Sequence, residues 1–167
     1  MINPTYRKCI SAYPQILFVA LLILCHVYRV SYAYAFIGYI GNSIVNGVLK
    51  QGFRYAIGDA GNRPVLYHPT NTFDDAVAAI WPEYKNNNAY GFPSGHAQSV
   101  GYFVAFAHQF LPWRTWHPVW IIAALAIALT LMWSRIAFRR HTAIQVLFGF
   151  AFGVATFRAF HCIFRAP

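Results

Sequence analysis

The sequence predicts an all-α, multi-pass transmembrane helical bundle of about five membrane helices, with one polar loop between the second and third. Three observations predict it. Hydrophobic residues make up 58% of the 167-residue chain and charged residues only 10%, where ordinary globular proteins carry roughly a quarter charged. Five apolar stretches follow one another, and a single long polar stretch interrupts them. A water-soluble protein of this length also has more surface to cover than so few charges can manage. The length suits a single domain over residues 1–167.

The first helix covers about Tyr13–Tyr28 and contains the run ILFVALLILC. The second covers about Ser31–Leu49, the third Ser94–Trp113, the fourth Pro118–Phe138 and the fifth Thr142–Phe160. Several have fewer strictly apolar residues than the roughly 20 a full span needs, so polar residues at their ends must sit at or just inside the membrane boundary. Gly38, Gly41 and Gly47 in the second helix, and Gly149-x-x-x-Gly153 in the fifth, allow close helix packing; equally, glycine is simply frequent in membrane helices. Trp113, Trp116, Trp120 and Trp133 fall near span ends, as an interfacial aromatic belt requires. Residues Gln51–Phe92 form the polar stretch, with Pro64, Pro69, Pro82 and the run Asn86-Asn87-Asn88, and read as a loop with a short amphipathic helix near Phe73–Trp81.

The net charge is +9, and the four acids Asp59, Asp74, Asp75 and Glu83 all lie in that loop. The cations are scattered among apolar runs rather than gathered in a basic stripe, which argues against nucleic acid as a partner. Membrane lipids with anionic headgroups, or a phosphorylated substrate, fit better. Cys9, Cys25 and Cys162 show no metal-ligand spacing, and the first apolar run has no cleavable-signal pattern. Oligomeric state is not encoded in any such pattern.

Polar residues that apolar periodicity leaves unexplained gather at four places. Lys50 ends the second helix and Arg63-Pro64 follows in the loop; Pro93-Ser94-Gly95-His96 opens the third helix; Ser134-Arg135 closes the fourth; His141 opens the fifth. Counting crossings places all four at one membrane face, and ionisable groups at a bilayer edge mark a functional site by default. Lys50, Arg63 and Arg135 supply cations with no carboxylate in the same clusters, and the start of the third helix adds Ser94 and free N–H groups. Such a set complements a phosphate or the spread charge of phosphoryl transfer. One histidine could attack phosphorus and another protonate the leaving oxygen. Without carboxylates no metal site is expected, and no cofactor. Singly, a histidine at a helix end is more often structural, cations near membrane ends are usually snorkelling anchors, and Pro-Ser-Gly is ordinary capping chemistry. The conjunction of types, order and face outweighs these readings. His26, His108, His117 and His161 fit no such conjunction; His68 is an outside candidate.

These residues resemble the three-part signature of the type 2 phosphatidic acid phosphatase superfamily: Lys-x6-Arg-Pro, Pro-Ser-Gly-His and Ser-Arg-x5-His-x3-Asp. The second part is intact at 93–96. The third runs from Ser134-Arg135 to His141, with Gln145 where Asp is usual, and in the first twelve residues rather than six separate Lys50 from Arg63. The resemblance implies that His141 is the nucleophile and His96 the general acid. Lys50, Arg63, Ser94, Gly95 and Arg135 would hold the phosphate oxygens, with Arg54 able to replace Lys50 if the helix continues, and no metal would be needed. The strings Tyr90–Gln98 and His141–Gly149 are similar to the dolichyl diphosphate phosphatase branch, which implies a polyprenyl or dolichyl diphosphate substrate. A phosphatidate-type monophosphatase and an inactive lipid-binding or transport relative are the alternatives. The resemblance further implies an endoplasmic reticulum or bacterial inner membrane and a lumenal or periplasmic site, whereas the count of Lys and Arg, nine on the site face against four, points to the cytoplasm. One turn after His141, Gln145 is expected to reach back to the imidazole and fix its tautomer, favouring diphosphate over monophosphate.

Overall fold

The computed structural model describes residues 13–64, 90–110 and 118–164. These form five α-helices and no strand: α1 (Tyr13–Tyr28), α2 (Tyr32–Ile57), α3 (Gly95–Phe110), α4 (Pro118–Ala137) and α5 (Ala143–Phe164), with a single 3₁₀ turn at Gly58–Gly61. The expected amphipathic helix near Phe73–Trp81, His68 and the tryptophans at 113 and 116 lie outside the described residues.

The helix ends correct the sequence boundaries in two places. The charge at Lys50 does not end α2, which runs two turns further to Ile57. Phe53 anchors that extension, its ring 4.6 Å from Phe92 and 5.9 Å from Phe152. The helix stops at Gly58, whose φ of 52° suits glycine and whose N–H returns to the Arg54 carbonyl. Likewise α5 passes its expected end at Phe160 and reaches Phe164. His161, just past that expected end, is half-buried, with the Tyr34 hydroxyl 3.0 Å from its Nδ1.

The centre of the bundle is the parallel pair α3 and α5. Side chains on Gly149 and Gly153 would run into the backbone of Ser94 and the Gln98 carbonyl, and one on Gly101 into the Phe150 carbonyl. The Gly149-x-x-x-Gly153 spacing therefore brings two helix backbones into contact. Around this pair pack Leu21 and Cys25 of α1, Tyr34 and Ala35 of α2, and Tyr102, Phe106 and Phe157 of the pair itself. The outward faces are apolar too: Ile16, Val19, Ile23 and Val27 on α1 and Ile37, Ile40, Ile44 and Val48 on α2 are all exposed. By length and composition one helix among the described residues, α5, is apolar enough to cross a membrane; the apolar segments Ile16–Tyr28 and Leu125–Ala137 are shorter.

The α3–α5 contact makes a direct prediction. Gly153→Leu should abolish the cooperative melt in detergent, and Gly153→Ala should cost about 1–3 kcal/mol, since overpacking a filled interface has that magnitude. Gly41 meets nothing within 4 Å, so Gly41→Ala should be neutral or raise Tm through helix propensity. Equal melts for Gly153→Ala and Gly41→Ala would contradict the packing.

Candidate active site

The site lies where α2 ends and α3 and α5 begin. Ser94 opens α3: its hydroxyl accepts from the Ala97 N–H at 3.5 Å, as an N-cap does, and its own N–H donates to the Gln145 carbonyl of α5 at 3.0 Å. It is fully buried. Gly95 follows, and a Cβ there would come 3.0 Å from Asn46 Oδ1, so α2 passes close beside the first turn of α3. The peptide bond from Phe92 to Pro93 is cis.

The turn from α4 to α5 explains the five-residue gap between Arg135 and His141. The Arg135 carbonyl accepts from both the Arg140 N–H at 3.0 Å and the His141 N–H at 3.1 Å. Arg139, at φ 53°, makes the left-handed bend between them. Arg135 and His141 are thus joined through the backbone, and both are buried.

His141 Nδ1 lies 3.0 Å from the Gly91 carbonyl. A carbonyl only accepts, so Nδ1 carries the proton and the lone pair is on Nε2. Burial pushes the imidazole well below its ordinary value of 6.5, helped by the cations Arg63, Arg135 and Lys50 in that order, while the Gly91 carbonyl opposes the shift. Those three cations are the ones read from the sequence, and all act on this ring. Arg54 is exposed and does not figure among the charges that act on His141, whereas Lys50 does. His96 sits on the first turn of α3, and with Arg135 it lines a hollow between α3 and α4.

The extra residues between Lys50 and Arg63 are absorbed by the longer α2 and the 3₁₀ turn. The chain then returns: Asn62 bridges to Tyr90, and the Gly91 N–H donates to the Gly61 carbonyl at 2.9 Å.

Gln145 does not do what its position suggested. Its amide nitrogen donates to the carbonyls of Gly61 at 3.1 Å and Asn62 at 3.0 Å, and its Oε1 accepts from the Thr142 N–H at 3.1 Å. The side chain is buried and its donors are committed to backbone. The group that fixes the His141 tautomer is Gly91, fifty residues away in sequence, and Gln145 ties down the segment carrying Arg63.

Sequence reasoning also passed over a buried polar chain. Asn46 Nδ2 donates to Gln98 Oε1 at 2.7 Å, and Gln98 Nε2 donates to the Asn42 carbonyl at 2.9 Å and its side-chain oxygen at 3.1 Å. Asn42, Asn46 and Lys50 recur every fourth residue, one stripe of α2, and that repeat was the available signal. The PAP2 superfamily matches this chain over residues 30–166. No curated protein and no solved structure matches it.

Two outcomes follow from this geometry. His141 is neutral when folded but titrates near 6.5 when unfolded, so the unfolded state binds the extra proton. Its contribution is fully present above pH 6.5 and is lost as pH falls from there toward its depressed folded value. Melts taken from pH 7.5 to 5 should fall more steeply for wild type than for His141→Asn, by up to about 1.4 kcal/mol per pH unit; parallel curves would overturn the neutral assignment. Gln145→Glu removes the donors facing two carbonyls, which should cost about 1–3 kcal/mol and leave any preference between mono- and diphosphate unchanged in ratio. A shifted ratio with an unchanged melt would restore a direct role for Gln145.

Proposed function

The chain belongs to the PAP2 superfamily, and on that premise we propose that it is an integral membrane phosphatase using a phosphohistidine on His141. Its substrate on this reading is a polyprenyl or dolichyl diphosphate, hydrolysed to the monophosphate and inorganic phosphate. Membership in the superfamily points to phosphatase activity on lipid-like phosphates; the prenyl substrate and the covalent route go beyond membership.

One observation carries the reading: a buried, neutral imidazole with its Nδ1 proton held by Gly91 and its charged form disfavoured by Arg63, Arg135 and Lys50. In the proposed reaction the Nε2 lone pair attacks the terminal phosphorus, a P–N bond forms and the bridging P–O bond breaks. The departing lipid monophosphate takes a proton from His96. Water then attacks the phosphohistidine, its proton passing to His96; the P–N bond breaks, and phosphate leaves with His141 and His96 restored. Lys50, Arg63 and Arg135, with the N–H groups at the start of α3, balance charge on the phosphoryl oxygens.

The membrane setting rests on the helices themselves. Outward faces made of exposed apolar side chains, such as Ile16, Val19, Ile23 and Val27 of α1 and Ile37, Ile40, Ile44 and Val48 of α2, are what helices in lipid present. We propose that all five cross or enter the bilayer, with the α2, α3 and α5 ends that form the site at one surface. The nine-to-four excess of cations on that face would put it in the cytoplasm by charge alone, but three of the nine are assigned here to substrate, and a lumenal or periplasmic site is the version proposed.

Rapid quench with phosphorus-labelled prenyl diphosphate should trap an acid-labile, base-stable phosphoenzyme on wild type, and His141→Ala should abolish turnover while keeping its melt. Undiminished hydrolysis by His141→Ala would sink the mechanism. His96→Ala should slow turnover by about 10²–10⁴-fold, less on diphosphates than on monophosphates because phosphate leaves more readily than alkoxide. Chelators should leave activity intact and vanadate should inhibit; activity lost in EDTA and restored by magnesium would remove the metal-free route.

A further inference from the structure

The polar chain between α2 and α3 is made of neutral groups that the proposed reaction does not use. Its direction is set at one end. The Asn42 carbonyl and side-chain oxygen only accept, so Gln98 presents Nε2 to them, at 2.9 Å and 3.1 Å. That turns Gln98 Oε1 toward Asn46, which answers with Nδ2 at 2.7 Å and keeps its own oxygen on the side of Gly95. Asn42 and Gln98 are buried. One glutamine of α3 thus holds two successive turns of α2.

These contacts fall on a regular ladder. Passing along α2 from Asn46 to Asn42 to Gly38, the facing residues of α3 are Gly95, Gln98 and Tyr102. A Cβ on Gly95 would touch Asn46, and one on Gly38 would run into the Tyr102 hydroxyl. The two helices are therefore antiparallel, and Lys50, one turn beyond Asn46, rises past the start of α3. Phe53 meets Phe92 on that same side. The outer stripe of α2, with Ile37, Ile40, Ile44 and Val48 exposed, specifies no height, because hydrocarbon accepts an apolar stripe at any rotation. Gln98 does specify one. With α2 moved one turn, it would face Gly38 and Asn42 and lose a side-chain acceptor, or face Asn46 and Lys50 and draw a cation into the bilayer.

We propose that the Asn42–Gln98–Asn46 bridge is a register lock that sets the height and rotation of Lys50, making Gln98 and Asn46 positioning residues for the phosphoryl site. A buried polar pairing adds little net stability over well-packed apolar side chains, but it can choose one alignment of two helices over its neighbours. Arg135 is tied to His141 through the backbone turn, and Arg63 to α5 through Gln145. Lys50 is delivered by α2, and the bridge ties α2 to α3 one turn away from it. The phosphatase reading enters only in what Lys50 does once placed; the bridge and the ladder stand without it.

The test removes the whole bridge, so that no amide is left unpaired. Asn42→Leu, Gln98→Met and Asn46→Leu are combined in a Cys9→Ser, Cys162→Ser background that keeps the buried Cys25. Spin labels go on Val48→Cys of α2 and Ile163→Cys of α5, both exposed. Because α5 is in backbone contact with α3, this pair reads α2 against α3. The triple variant should melt like its parent, yet its label distance should widen or move, a full-turn slip amounting to about 5 Å. Its kcat on farnesyl diphosphate should fall at least about tenfold, within the roughly 10²–10³-fold that loss of one transition-state donor costs. Added to Lys50→Met, the same triple change should cost less than about threefold more. An unmoved distance overturns the lock, whatever happens to the melt, and so does the full loss recurring on top of Lys50→Met. Should the triple variant not fold, Gln98→Met alone is read by the same distance and the same Lys50→Met comparison. A moved distance in a protein that hydrolyses no diphosphate, bridged or not, would keep the lock and remove the phosphatase reading instead.

Discussion

Three glycines allow the backbones of α3 and α5 to touch, and the candidate site depends on that contact. Gly149 meets Ser94, Gly153 meets Gln98 and Gly101 meets Phe150, while Tyr102 packs its ring edge-on to Phe157. The steps match along both helices, so the pair runs parallel, with the start of α3 beside the second turn of α5. In a hydrocarbon medium there is no hydrophobic gain from joining apolar helices; close van der Waals approach and hydrogen bonds must substitute. That stagger lets the Ser94 N–H reach the Gln145 carbonyl and sets His96 and His141 at one end of the molecule. A side chain larger than hydrogen at 149 or 153 would separate the helices and, with them, the two histidines.

The segment bringing Arg63 to this end is held by a connected set of polar contacts. Gln145, anchored on the Thr142 N–H, holds the carbonyls of Gly61 and Asn62. Gly61 in turn accepts the Gly91 N–H, and the Gly91 carbonyl takes the His141 proton. The hydrogen bonds close a ring that begins and ends on the first residues of α5. An arginine delivered by a long excursion and a histidine at a helix start are therefore not independently placed: the same backbone that positions one selects the tautomer of the other. This also gives a physical reason for glycine at 91, where a Cβ would come 2.8 Å from the Gln145 amide oxygen and 3.0 Å from Arg63 Cγ.

What was legible in the sequence was whatever depends on parity and local chemistry. Counting helix ends predicts that Lys50, Arg63, Ser94, Arg135 and His141 share one face, and the three cations do act on the His141 ring. The all-α class followed from composition, and the start of α3 from its Pro-Ser-Gly. Gln145 was misread because four-residue spacing states who can be a neighbour, not who wins; two carbonyls some eighty positions away captured its donors. The end of α2 is not marked by its lysine, because helix ends are set by caps, and the cap here is Gly58. The Asn42–Asn46–Lys50 stripe was readable in principle, but its partner Gln98 lies on another helix, and no local pattern in α2 names it.

Three cations beside a candidate nucleophile raise a difficulty that the causes of the pKa shift resolve. If repulsion by Arg63, Arg135 and Lys50 alone kept His141 neutral, an arriving phosphate dianion would cancel it and invite a proton onto Nε2, destroying the lone pair at the moment of attack. Repulsion is only part of the cause. Burial comes first, and burial does not diminish when substrate seals the site; excluding water deepens it. A carboxylate at 145 would work the other way, because a negative charge beside the ring favours its protonated form. With the amide of Gln145 committed to the Arg63 segment, the ring's one held proton is on Nδ1, facing a neutral carbonyl. On the proposed reading the cations act on the phosphoryl oxygens, while desolvation by the packed helix starts maintains the nucleophile.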